Sequence, residues 1–214
     1  MAVLVAVGGC NASGPAAPGA PAAPAVVIPA HVNEQEPAAA AIAALRSAPA
    51  LLETSAIHVD SSSGRFLVLD EAGKQVTGVL VNRDSRGVIG EIEVLADGER
   101  HGPFVHWTSE EGTPMQAGWW HKGDPVGVHR RWHRPQAGGG LEFVGVMAGA
   151  APSPIRVEYA ADGKVTASSR AVDGRLVDDK PPVDHWASWP DRPAWSLQPA
   201  PNRPPDLPVL APKE

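Results

Sequence analysis

The chain has 214 residues, of which 23 are proline and 22 glycine, so long stretches of helix or central strand are excluded and the folded part is shorter than the chain. Its formal net charge of −6 argues against a protein that binds nucleic acid by neutralising phosphates, which needs a concentrated basic face. A single cysteine, Cys10, excludes an intramolecular disulfide and a thiolate zinc site.

Residues 1–10 run from the apolar stretch Ala2 to Val7 through Gly8 and Gly9 to Cys10. This pattern resembles the end of a bacterial lipoprotein signal peptide, in which small residues precede the cysteine that becomes lipidated. The resemblance implies a mature chain that begins at Cys10 and is held to a membrane by acyl chains, several of which anchor stably where one is marginal. Asn11 stands where some inner-membrane lipoproteins carry aspartate, so the same resemblance points to the outer membrane or the periplasmic face of the cell envelope. Residues 11–37 are mostly Ala and Pro and are expected to form an extended tether. In residues 38–54, Ala38 to Leu52 predicts a short helix that Pro49 ends, followed by a connection. No apolar run approaches the roughly 20 residues of a spanning helix.

From residue 55 to 179 the pattern changes to short β-prone runs: Phe66 to Leu69, Val76 to Val81, Val88 to Leu95, Pro103 to Trp107, Met115 to His121, Val126 to His133, Leu141 to Met147, Ile155 to Tyr159 and Lys164 to Ser169. Between them lie turn signals such as Asp97-Gly98, Gly123-Asp124, Asp162-Gly163 and Asp173-Gly174, which supply the positive φ of tight hairpins. The expectation is an all-β meander of antiparallel hairpins. Residues 180–214 read as a Pro/Trp-rich tail, whose Trp186, Trp189 and Trp195 either clamp it across the sheet or form a linear docking motif.

The chain also repeats. Gly98, Gly102 and Trp107 recur 25 residues later as Gly123, Gly127 and Trp132, with a weaker copy upstream from Gly78 and a decayed one downstream through Tyr159. The string from Asp97 to His133 resembles the variant MORN repeat of bacterial proteins, with Gly98, Gly102, Trp107, Gly112, Gly118, Trp120, Gly123, Gly127 and Trp132 at its pattern positions. A third copy loses register at Gly138-Gly139-Gly140. The resemblance implies hairpins stacked edge to edge into one twisted sheet, with aromatic side chains supplying apolar area where aliphatics are scarce.

A search for chemistry finds no Gly-x-Ser-x-Gly elbow, no phosphate-cradling loop and no paired carboxylates that spacing alone would place in a cleft. His101, His106, His121, His129 and His133 are dense, but lack the spacing of a helical ligand pair, and no metal and no cofactor is expected. The expected function is that of a non-enzymatic envelope lipoprotein presenting its sheet to a protein or envelope component. Its contact residues are expected at Trp119, Trp120, His129, Arg130, Arg131 and Trp132; Trp119 and Trp120, being adjacent, face opposite sides of the sheet. Members of the variant MORN family are also catalogued as candidate antitoxin components, which gives the alternative of a soluble, cytoplasmic neutraliser of a partner toxin.

Overall fold

In the computed structural model of the chain, the structure is described for residues 31–54, 58–60, 67–108, 111–149, 151, 153–197, 199 and 201–207. Cys10, the signal-like segment and most of the Ala/Pro tether lie outside the described residues. Two helices come first, α1 (His31–Glu34) and α2 (Pro37–Ser47). They are followed by β1 (Leu51–Glu53), β2 (His58–Asp60), β3 (Leu67–Leu69), β4 (Gly78–Arg83), β5 (Ile89–Ala96) and β6 (Glu99–Trp107). The remaining strands are β7 (Pro114–His121), β8 (Asp124–Trp132), β9 (Leu141–Ala148), β10 (Ile155–Tyr159), β11 (Val165–Val172) and β12 (Arg175–Asp178).

Ten strands form one sheet in the order β1-β4-β5-β6-β7-β8-β9-β10-β11-β12, and β2 pairs with β3 in a separate two-stranded sheet. From β4 onward every neighbour is antiparallel, as the turn chemistry predicts. At Asp97-Gly98, Lys122-Gly123 and Asp173-Gly174 both turn residues have φ between 49° and 82°. Such two-residue turns match the right-handed twist of the flanking strands. The 25-residue repeat is visible as a repeated strand arrangement: the β6–β7 pairing slips one residue at His106/Trp107 and the β8–β9 pairing slips at Arg131/Trp132. Trp107 and Trp132 are both buried.

Two features depart from the sequence expectation, and a third decides between alternatives that the sequence left open. Pro49 follows the helix end at Ser47, and Leu51 and Leu52 belong to β1, which runs parallel to β4. The parallel direction follows because the chain reaches β4 only after crossing through β2 and β3, and a crossover returns a strand in its original sense. At the tether boundary, residues 31–34 already form a helical turn and Pro37 is the first residue of α2. Glu36 caps that helix, accepting the Ala39 N–H at 2.7 Å. The described residues of the C-terminal segment 180–207 lie across the sheet, as the clamp alternative has it. Trp186 is buried with Val128, Val144, Val146, Ile155 and Val157, and Leu207 joins the core under α2.

One face of the sheet is therefore closed from β4 to β10, whereas every residue of β12 is exposed. α1 covers Trp119 and Val126 through Val32, α2 covers Val79, Val81, Ile92, Val105 and Trp107, and the C-terminal segment covers the rest. Among the described residues, the second face is capped at the β1–β4–β5 end, where Val68 and Val76 pack on Leu80 and Leu95.

The closure converges on Arg130. It is 1 % exposed, its guanidinium pairs with Glu36, and its Cζ stands 4.8 Å from the Trp132 ring centroid and 4.9 Å from that of Trp195. One side chain thus joins β8, the cap of α2 and the 3-10 turn Ala194–Leu197. The Trp107 indole N–H donating to the Pro201 carbonyl at 3.3 Å and the Arg203 N–H donating to Gly112 O at 2.8 Å extend the same seam. The exposed pair Arg46–Asp206, at 2.8 Å, adds little. Arg130→Ala leaves Glu36 facing the gap without a cation and is expected to lower the unfolding free energy by about 3–5 kcal/mol. Arg46→Ala is expected to cost at most about 1 kcal/mol. Urea unfolding of the two variants decides this, and equal losses would contradict the assignment.

Candidate functional site

The second face between β5 and β8 carries a layer of ionisable and aromatic side chains. Strand alternation points Glu91 and Glu93 to this face, and the β5–β6 register sets Glu91 opposite His106 and Glu93 opposite Phe104. Phe104 is itself opposite Gly118. That glycine gives the layer its flatness, because a Cβ there would lie 2.7 Å from the His129 ring. The Phe104 ring centroid stands 5.6 Å from that of Trp120 and 5.4 Å from that of His129, and Trp120 meets His129 edge-on at 6.0 Å. Arg100 stacks over Trp120 with Cζ 5.1 Å from the ring centre. Farther along, Arg131 and Arg156 flank Phe143 at 5.5 Å each, and Arg131 pairs with Glu142 at 2.9 Å.

The charges within the layer balance. Glu93, with its side chain 5 % exposed, accepts from Arg100 Nε at 3.0 Å. His106 Nε2 lies 2.9 Å from Glu91 Oε1 and 3.9 Å from Glu93 Oε1. Burial works against a charge on His106, but the two carboxylates prevail and its pKa is pushed up to about 9. The contact with His106 holds Glu91 below the ordinary carboxylate range. His129 behaves oppositely: burial without a carboxylate beside it pushes it down to about 4. Its Nε2 faces the Trp119 backbone, 2.8 Å from the carbonyl and 3.3 Å from the N–H, and the ring tautomer decides whether it donates to the first or accepts from the second.

Of the six contact residues expected from the sequence, Trp119, His129, Arg130 and Trp132 are buried and present no contact surface. Strand alternation splits the basic run: His129 goes under the aromatic layer, Arg130 into the closed face, and Arg131 to solvent. Trp120, half-buried, and Arg131, with its side chain 48 % exposed, remain accessible on the second face. Trp119 and Trp120 do fall on opposite faces, the first against Val32 and the second against Phe104. The structural glycines Gly98, Gly102, Gly112, Gly123 and Gly127 all have positive φ, whereas Gly118 serves by lacking a side chain. Sequence reasoning missed Glu91, Glu93 and Arg100. The available signal was the Glu-x-Glu spacing on β5, which places both carboxylates on one face.

Ser168, Asp179 and His185 meet near the C-terminal segment, but in an order that does not activate a hydroxyl. Ser168 Oγ donates to Asp179 Oδ2 at 2.8 Å, His185 Nε2 lies 2.6 Å from the same oxygen, and Ser168 Oγ accepts the Val183 N–H at 2.8 Å. A serine nucleophile needs the imidazole between hydroxyl and carboxylate. Here the aspartate occupies the middle, and the trio stitches residues 179–185 to β11.

No protein-family model, curated protein or solved structure matches the chain. The chemistry of this face is therefore the basis for function.

The acid response of the fold tests the environment of His129. Its pKa falls from 6.5 unfolded to about 4 folded, so its neutral form stabilises the fold above pH 6.5. That stability is lost as pH drops through the window toward 4, by an amount on the order of 3 kcal/mol. His129→Phe is expected to flatten the pH dependence of urea unfolding within this window. An unchanged slope would show that His129 is not held neutral.

Proposed function

We propose that the protein is a non-enzymatic, lipid-anchored envelope protein that presents its MORN-like hairpin sheet to another protein or envelope component. The observation that carries this reading is the unequal treatment of the two faces. One is closed by α1, α2 and the C-terminal segment. The other offers half-buried Glu91, His106, Gln116 and Trp120 and exposed Arg131 on a hydrogen-bonded platform. Side chains held by strands and by stacking lose little rotamer freedom on association, which favours binding per contact. Trp120 and Arg131 belong to the residue types that dominate such interfaces.

The MORN resemblance is supported by the two hairpins offset by 25 residues, whose turns, glycines and register slips coincide. The anchor rests on Cys10 and the apolar residues before it. Among the described residues no helix is long and apolar enough to cross a membrane. An acylated Cys10 with residues 11–30 as spacer would hold the sheet near a membrane surface without a span.

Photo-crosslinking residues placed at Gln116 and Arg131, with Asp173 as an off-face control, test the platform in cells. One discrete adduct from both face positions and none from the control is expected; no adduct from either face position contradicts the reading. Mass spectrometry of the mature N-terminus and fractionation of Cys10→Ser test the anchor. Acylated Cys10 and release of the variant from membranes are expected. A retained Met1 with unchanged fractionation would overturn the anchored reading in favour of the soluble antitoxin alternative.

A further inference from the structure

We propose that Glu91, Glu93 and His106 form a binding site for one divalent transition-metal cation of the class that zinc represents. This inference is independent of whether the face docks a partner, because it concerns the side chains of one β-hairpin. One ligand atom from each of the three residues lies within 4.8 Å of the others. In a four-coordinate site with bonds of about 2.0–2.2 Å, neighbouring ligand atoms stand roughly 3.3–3.6 Å apart. The present separations of His106 Nε2 from the two carboxylates, 2.9 and 3.9 Å, fall on either side of that value. Changes of several tenths of an ångström bring both His106–carboxylate separations to the spacing of a coordination shell.

A second observation points to a ligand. His106 Nε2 is sealed from solvent and makes no aligned hydrogen bond, although Glu91 is 2.9 Å away. Glu93 engages Arg100 through Oε2 and holds Oε1 3.9 Å from Nε2, beyond hydrogen-bond range. A buried nitrogen left in the condition of His106 Nε2 is uncommon and costly. A cation between this nitrogen and Glu93 Oε1 turns both into ligands.

The surroundings suit such a site. Arg100 fixes the second oxygen of Glu93 and is itself stacked on Trp120, the kind of outer contact that orients a ligating carboxylate. Phe104, 1 % exposed, walls the inner side. Glu91 and His106, with side chains 26 % and 32 % exposed, leave an open side for entry and for a water as fourth ligand. The imidazole nitrogen favours zinc, iron, nickel or copper over calcium and magnesium, and zinc accepts imidazole and carboxylate ligands together. On binding, the imidazolium proton of His106 passes to solvent and the divalent ion takes its place beside the two carboxylates.

The test is calorimetric titration of the full, chelator-dialysed chain with zinc chloride. One ion per chain with saturable binding is expected. His106→Ala and Glu93→Gln should each weaken it at least about 10-fold. Glu91→Gln, at a partly exposed position, should weaken it without risk to the fold. The double variant His101→Ala/His121→Ala removes a separate pair of rings 4.9 Å apart and should bind as the unaltered chain does. Cobalt added to the unaltered chain should give the visible d–d absorption of a four- or five-coordinate nitrogen/oxygen site. Absence of saturable zinc binding, binding undiminished in the three cluster variants, or loss confined to the His101/His121 variant would each overturn the site.

Discussion

A buried cation sets the organisation of this molecule. Arg130 lies in the middle of a β-strand, at the position where the preceding repeat carries Val105, and both side chains are almost fully enclosed. A valine there needs only apolar neighbours. An arginine needs a counter-charge and flat aromatic surfaces, because the desolvation of an unmet guanidinium costs several kcal/mol. Glu36 supplies the charge from the cap of α2, and Trp132 and Trp195 supply the surfaces. Glu36 is 94 residues away along the chain, and Trp195 comes from the opposite end. The hairpins are local structures that could form strand by strand, whereas both terminal segments are placed by this one long-range requirement.

The consequence for function is asymmetry. A single twisted sheet has two faces, and a chain of this size must cover at least one to bury a core. Here both ends are drawn to the same face, leaving the other from β5 to β8 to be finished by its own side chains. Gly118 removes the side chain that would otherwise stand between strands, so the His129 ring fits there, tilted to Phe104 and edge-on to Trp120. The resulting layer sets Arg100 against Glu93 and His106 beside Glu91. It is thereby polar and held together by ring contacts and ion pairs.

The hairpins were legible because their determinants are local. Asp97-Gly98 and Asp173-Gly174 state their turn geometry in two residues, and Ile155 to Tyr159 states its strand in five. The 25-residue spacing carried the repeat for the same reason. What escaped depends on contacts between distant residues. The run His129 to Trp132 looked like one basic surface, but strand alternation sends its members to different faces, and the burial of Arg130 is set by Glu36 and Trp195. The Pro-rich C-terminal residues offer no periodicity, so the sequence left clamping across the sheet and a linear docking motif both open, and the apolar face that receives Trp186 shows the former. Leu51 and Leu52 continued an apolar helical pattern, and only the crossover through β2 and β3 explains why they pair with β4. Glu91 and Glu93 were within reach of the spacing on β5, but their meeting with His106 depends on the β5–β6 register.

Hydrogen–deuterium exchange comparing the unaltered chain with Arg130→Met tests most directly the claim that one buried cation places both terminal segments. The account predicts that α2 and residues 183–197 lose protection together while the amides of β5 to β7 keep theirs. Loss confined to one of the two segments, or protection unchanged in both, would contradict it.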